Sequence, residues 1–354
     1  MRRREKATEG QKLWYQYYRV KPRWLMVKIA DEIGQDLAVG GCLKEMILRI
    51  VGSEANEIEN TWHKFWQHGC YRGVPVFMSV LSGVDIALWD LKGKNLKVPV
   101  YELLGGKVRN QVQVYSWIGG GRPSDVEIAA AGLQVCQMNA TEDLNWLDSP
   151  SVCDAAVERL KVIKSLGLDA DLHFHGRVHK AMAKQLASAL EPLTTIPIAL
   201  GDRLYSRRDV KRFLEYANVD ILQPDAGHAG GISETRRIAA MAEVYDVAIA
   251  PHCPPGPVAF AACLQIAVSS ANFTIPEMSI GVHYNMKAGD DIDLPTYLKD
   301  PKVFDIADGG YVKAPTGDGL GIEIDEEMVK KFSADTLPRQ RKVFHGPDGS
   351  IREW

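Results

Sequence analysis

Between Gln111 and Met278, short apolar runs alternate with longer stretches in which apolar residues return at helical spacing. A period of two marks a strand and a period of about 3.6 marks a helix, so this region predicts repeated βα units around a parallel sheet. Seven strands are expected: QVQVYSWI from Gln111, LQVCQMN from Leu133, DADLHF from Asp169, IPIALGD from Ile196, DILQPD from Asp220, VAIAPH from Val247 and FTIPEM from Phe273. Amphipathic stretches between them, such as SVCDAAVERLKVIKSLG, GRVHKAMAKQLASALEP and GGISETRRIAAMAEVYD, supply the helices. Residues 1–108 and the tail break the rhythm. The run VPVFMSVLSGVDIALWDLKGKNLKVPVYELLGG, punctuated by Pro99, Gly105 and Gly106, reads as a separate helical layer. The expected organisation is a smaller capping domain of residues 1–108 with the tail 300–354, and a larger domain over 109–299.

A barrel and a doubly wound sheet both produce such a rhythm, and two features favour the barrel. No GxGxxG follows the first strand, as a dinucleotide fold would prefer. Polar or ionisable residues sit at most C-terminal strand ends: Gln137, Asn139, His173, His175, Asp202, Asp225, His252 and Glu277. In a parallel barrel those ends converge on one mouth.

Composition narrows the function classes. With 46% hydrophobic and 25% charged residues, the 354-residue chain has the make-up of a globular protein able to bury a large core. A net charge of -3 offers no basic field for nucleic acid or an anionic membrane, so neither is an expected partner and a small molecule is. The opening MRRREKATEG runs into polar residues, not the apolar stretch of a secretory signal, and no run approaches the ~20 apolar residues of a membrane span. A cytoplasmic location is expected. The cysteines lack CxxC spacing, which predicts reduced thiols in place of a zinc knuckle or disulfides.

The chemistry lies at the strand ends. Adjacent strand ends bring His252 and Asp225 together, and a carboxylate on one imidazole nitrogen makes the other a general base. The plainer alternative is a structural histidine capped by an aspartate. His173 and His175, with Asp171, share one strand face and can bind a metal or move protons, although HxH alone is a weak signal. Cys253 has nothing to activate it and reads as an ordinary thiol. His228, just before a helix, reads as a residue supporting the site from behind or a helix-start partner, with ordinary loop packing as the plainer alternative, and the AGGIS amides after it can hold a carboxylate, although the glycine pair alone is a weak signal.

Taken together, DLHFHGRVH, IALGDRLYSR, ILQPDAGHAGGIS, IAPHCPPGP, EMSIGVHYN and CYRGVPVFMSVLSGVDIALWDLKGK with PVYELLGG are specific. They resemble the mandelate-racemase branch of the enolase superfamily, and within it the galactonate dehydratases, from about Tyr18 to Trp354. The resemblance implies an α/β fold: a modified TIM barrel, (β/α)7β, under an N-terminal α+β cap, with Mg²⁺ at the mouth holding a sugar-acid carboxylate. It also implies homo-oligomers. The implied reaction abstracts the proton beside the carboxylate and expels the neighbouring hydroxyl, giving a 2-keto-3-deoxy acid. His252 with Asp225 matches the base, His175 the acid that protonates the leaving hydroxyl, and Glu277 the group that hydrogen-bonds the enediolate. Asn139 matches a residue lining the pocket, where Gln137 and His228 are also expected to meet substrate.

The chain departs from the family at the metal. His173 stands where an acidic ligand is expected, and Asp202 in GDR stands where the family spells GER. The strand spelled like FIEEP, which should carry the remaining ligand, has no counterpart between HGRVH and IPIALGD. Gln137 replaces a lysine. One βα unit is therefore expected to be missing from the barrel. Loss of coding segments would explain the shortening but not His173 or Gln137, so divergence covers both. Two alternatives to a dehydratase follow: a catalytically silent scaffold that binds a ligand or partner, and an epimerase or racemase, which would need a second base where Gln137 cannot titrate.

Overall fold

The structure is a computed structural model that describes residues 36–67, 72–117, 132–139, 149, 151–173, 197–216, 219–254, 256–278, 297–334, 343–346 and 348–352. The N-terminal layer is helical: α1 (Asp36–Ile47), α2 (Ile58–Gln67), α3 (Pro75–Leu96) and α4 (Val100–Leu103). Pro75 opens α3, where a missing N–H costs nothing, and Lys97 closes it in the left-handed conformation with its N–H returned to Gly93 and Lys94 carbonyls. Because α3 is buried nearly all round, it shows no single apolar stripe. Val80, Leu81 and Val84 pack with Val39, Met46, Trp62 and Phe65 of α1 and α2, whereas Ile86 joins the core of the larger domain.

The first predicted strand is in fact two, β1 (Gln111–Gln113) and β2 (Tyr115–Trp117). Val114 donates its N–H to Gly310 O, which turns the first half toward the tail and leaves the second half in the barrel. β2 pairs in parallel with β3 (Val135–Asn139), and β3 with β4 (Asp169–His173). β5 (Ala199–Leu200), β6 (Ile221–Leu222) and β7 (Ala248–Ile249) form a second parallel sheet in that order. Parallel bridges Ile249↔Phe273 and Tyr115↔Glu277 then carry the seventh predicted segment from β7 back to β2. The ring thus runs unbroken from β5 through β7 and β2 to β4. Among the described residues no pairing joins β4 to β5. That break falls where the sequence is expected to lack a strand, and the predicted helix GRVHKAMAKQLASALEP lies there, outside the described residues.

Helices α5 (Ser151–Ser165), α6 (Arg207–Tyr216), α7 (Gly231–Glu243) and α8 (Pro257–Ser269) follow β3, β5, β6 and β7. The tail contributes β8 (Tyr311–Lys313), antiparallel to β1, then α9 (Glu326–Ala334) and the hairpin of β9 (Phe344–His345) with β10 (Ile351–Arg352). No helix among the described residues is long and apolar enough to cross a membrane.

One seam joins the helical layer to the barrel. The first N–H groups of a helix have no partner within it, and at α7 those partners come from α3. Ser82 Oγ accepts from Gly230 N and Gly231 N at 2.8 and 3.1 Å. Asp85 accepts from Ser233 N at 2.9 Å and from Ser233 Oγ at 2.6 Å. Trp62 Nε1 donates to Gly230 O at 2.9 Å. Gly231 has φ +80°, and a Cβ there would lie 2.4 Å from Asp85 Oδ2. Burial lifts the Asp85 carboxyl from 3.8 to about 7 against the pull of its Ser233 hydrogen bonds, and Asp90, which accepts from Leu320 N, is lifted to about 6.

Two stability predictions follow from this seam. Gly231→Ala should lower the unfolding free energy by roughly 2–4 kcal/mol through strain at positive φ and a clash with Asp85; an unchanged urea midpoint would show that the seam is not tight. A raised folded-state pKa means the folded chain holds the proton more firmly than the unfolded one. The contribution of Asp85 is therefore complete below its ordinary value of 3.8 and is lost as pH rises through about 7. Urea midpoints measured at acidic and alkaline pH should fall across that window, and Asp85→Asn should flatten part of the slope.

Candidate active site

Leu222 and Ile249 are register partners, so Asp225 and His252, each three residues further on, arrive at the mouth at the same level. His252 Nδ1 lies 2.8 Å from Asp225 Oδ2, and its Nε2 lies 3.8 Å from Glu277 Oε2. Asp225 Oδ1 accepts from Gly227 N at 2.6 Å, and Glu277 Oε2 accepts from Cys253 N at 3.1 Å. The side chain of His252 is 22% exposed while that of Asp225 is 1% exposed, so the imidazole opens outward over a buried carboxylate.

The two carboxyls flanking His252 are pushed in opposite directions. Burial acts to raise Asp225, but the His228 and His252 rings and the Gly227 N–H outweigh it, and its pKa falls below the usual value. Asp225 is then ionised and holds the proton of Nδ1, which leaves Nε2 as the basic nitrogen. Glu277 is raised, first by burial and then by Asp225 and Asp171, against the lowering effect of His252 and the Cys253 N–H. A carboxyl held toward its neutral form can donate to a developing oxyanion, and such a pair of split carboxyls marks acid and base roles.

The opposite side of the mouth is built differently. Gln137 and Asp171 are register partners on β3 and β4, and Gln137 Nε2 donates to Asp171 Oδ2 at 2.6 Å. Burial raises the Asp171 pKa, with Gln137 pulling it back. The His173 ring stands edge-on to Trp117, with centroids 5.5 Å apart at 89°. Asp202 follows β5, across the break, with an oxygen 3.8 Å from Arg203 Nε. The backbone of Asn139 ends β3, but its side chain and all of His175 lie outside the described residues.

These donors do not fit Mg²⁺. The ion takes hard oxygens in near-ideal octahedral geometry, and an imidazole in the first ligand position is a poor exchange. The oxygen of Asp171 already accepts from Gln137, Asp202 faces a guanidinium, and among the described residues no group of three His, Cys, Asp or Glu side chains gathers to hold a cation.

Two contributors were not evident in the sequence. Tyr115 is buried in the barrel with its hydroxyl accepting from Gln223 Nε2 at 3.5 Å, and burial, Glu277 and Asp171 raise its pKa. Its alternation with Trp117 on β2 placed both on one face, which was the available signal. Ser79, on α3, meets His228 through a contact between residues 149 apart in sequence, and no local pattern announces that.

A parallel barrel closed at its mouth by a His–Asp pair, beneath a helical layer, matches known proteins. Residues 193–328 match the enolase C-terminal domain-like family, and residues 31–105 match the mandelate racemase / muconate lactonizing enzyme N-terminal domain. The chain belongs to the enolase superfamily, in its mandelate racemase branch. It is 40% identical to D-galactonate dehydratases of Variovorax paradoxus (strain S110) and Ralstonia pickettii (strain 12J), covering 95% of this chain and 98% of each relative. Those alignments run over 379 residues, more than the 354 of this chain, so the relatives carry residues with no counterpart here. The structure superposes with a TM-score of 0.77 on a crystal structure of an enolase from Agrobacterium radiobacter bound to Na and L-malate, at 27% identity over 89% of each chain.

If the donor set is as poor as its geometry, Mg²⁺ should not stabilise the fold, because a ligand that binds the native state raises the melting temperature by mass action. Thermal midpoints should agree with and without millimolar Mg²⁺. A rise that saturates would mean that ligands beyond the described residues complete the site.

Proposed function

We propose that the protein acts on a sugar acid of the galactonate type by dehydratase chemistry, with His252 and Asp225 as its proton-abstracting centre. The observation that carries this reading is the 2.8 Å contact of His252 Nδ1 with Asp225, with Nε2 directed to within 3.8 Å of Glu277. His252 Nε2 takes the proton from C2 of the acid, and Asp225 balances the imidazolium that forms. Glu277, held toward its neutral form, donates to the carboxylate oxygen that gains charge as the enediolate forms. The C3–O bond then breaks, the departing hydroxyl leaves as water with a proton that His175 is assigned to supply, and the enol tautomerises to a 2-keto-3-deoxy acid. In such enzymes a bound Mg²⁺ supplies Lewis-acid stabilisation of the carboxylate; no step here is routed through it, since the donors do not fit. Asn139 and Gln137 are assigned to the pocket wall.

The unsuitable donor set favours a second reading, in which the scaffold binds a sugar acid without turning it over. An epimerase is disfavoured because Gln137, opposite His252 in role, carries an amide that cannot titrate.

The experiment is a 2-keto acid assay on D-galactonate, together with exchange of its C2 hydrogen against solvent deuterium. Keto acid formation, reduced about 10²–10⁴-fold in His252→Asn, is the expected result. Binding with neither exchange nor product would establish the silent scaffold, and exchange without dehydration would establish an epimerase.

A further inference from the structure

His228 lies in the loop between β6 and α7, three residues beyond Asp225, and is only 6% exposed. Its Nδ1 is 2.9 Å from Ser79 Oγ on α3. That hydroxyl has a single proton, which it donates to Pro75 O at 2.9 Å. Toward His228 it can therefore only accept, so the ring proton sits on Nδ1 and Nε2 keeps a lone pair. Burial lowers the pKa of the ring, with Asp225 and Asp202 opposing and His252 adding to the effect, which favours the neutral imidazole.

No described residue donates to Nε2. The enclosed side-chain polar atoms that lack a partner among the described residues are His63 Nδ1 and Thr235 Oγ1. Nε2 of His228 is not one of them, and the residue keeps 6% of its surface exposed. The charges that act on the ring, Asp225, His252 and Asp202, all belong to the mouth. A neutral acceptor at that place repels the lone pairs of a carboxylate and suits an O–H, of which a polyhydroxylated acid carries several.

We infer that His228 is a specificity-determining residue of the site: its Nε2 accepts a hydrogen bond from a hydroxyl of the sugar acid, and Ser79 of the capping layer fixes the tautomer that allows it. This rests on the sugar-acid reading above and goes beyond it by naming what recognises the polyol chain. Recognition would then be built across the seam, since the ring comes from the barrel and its orientation from the cap.

Calorimetric affinities for D-galactonate and for lactate, a 2-hydroxy acid without the polyol chain, test the inference. His228→Phe should weaken galactonate binding roughly 3- to 10-fold, the worth of one hydrogen bond to a neutral group, and leave lactate unchanged. His228→Gln, which keeps an acceptor, should retain most of the affinity, and Ser79→Ala should lose part of it. Galactonate binding that none of these changes touches, or equal losses for both acids, overturns the inference while leaving the sugar-acid reading standing. Wild-type protein that binds neither acid overturns both. Nitrogen NMR of the imidazoles in the wild-type protein gives a result independent of any variant: a protonated Nδ1 and bare Nε2 on His228 are expected, and the opposite tautomer sinks the proposal.

Discussion

The seam between α3 and the start of α7 is the contact on which the rest of the molecule depends. A helix N-terminus buried between two layers must find acceptors for its free N–H groups, and an unpaired one costs about 1–3 kcal/mol. Here the acceptors are side chains of another layer, Ser82 and Asp85, and the fit requires glycine at Gly231, where any Cβ would strike Asp85. Asp85 bears the largest cost. Its carboxyl is taken out of water without a cation in hydrogen-bonding contact, and the Ser233 donors, with the more distant charge of Arg237, offset part of the loss of hydration.

That seam also sets the site. The loop that carries Asp225 and His228 ends in Gly230 and Gly231, which are held by Ser82 and Trp62. Fixing the start of α7 therefore fixes the loop, and the loop fixes the carboxylate behind His252. Strand register does the remainder, since β6 and β7 are paired and deliver Asp225 and His252 to one level. Positioning of this kind is what general-base catalysis needs, because proton transfer demands a partner within hydrogen-bond reach.

Much of this was legible in the sequence because it is local or periodic. Strand positions at β3, β4, β6 and β7 followed from apolar runs, and the pairing of His252 with Asp225 followed from adjacent strand ends. The split of QVQVYSWI was not legible, because it depends on a tail strand some two hundred residues away whose carbonyl at Gly310 claims the N–H of Val114. Nor was the role of α3. Its near-continuous burial erases the amphipathic stripe from which a helix's partners are usually read, and the polar residues that matter, Ser79, Ser82 and Asp85, look like exceptions in an apolar run. The Gln137–Asp171 clamp escaped notice for a related reason: the strand face was predicted, but which partner would take the Asp171 oxygen depends on cross-strand register.

The departures from the family are scattered in sequence but contiguous in space. Gln137 and His173 lie on β3 and β4, and Asp202 follows β5, so together they flank the one interruption in the ring of described strands. Asp225, His252 and Glu277 lie on the side where pairing is continuous from β6 through β7 to the bridge at Tyr115. A hard cation tolerates errors in ligand placement of only about 0.2 Å, and its ligands here would have to be held in register across the break. The His–Asp pair asks only for its own two adjacent strands. Absence of a single strand there would therefore damage cation binding first, at the positions of His173 and Asp202, and leave the proton-abstracting pair in place. The substitutions and the strand expected to be missing thus share one place in the fold, the gap between β4 and β5 among the described residues.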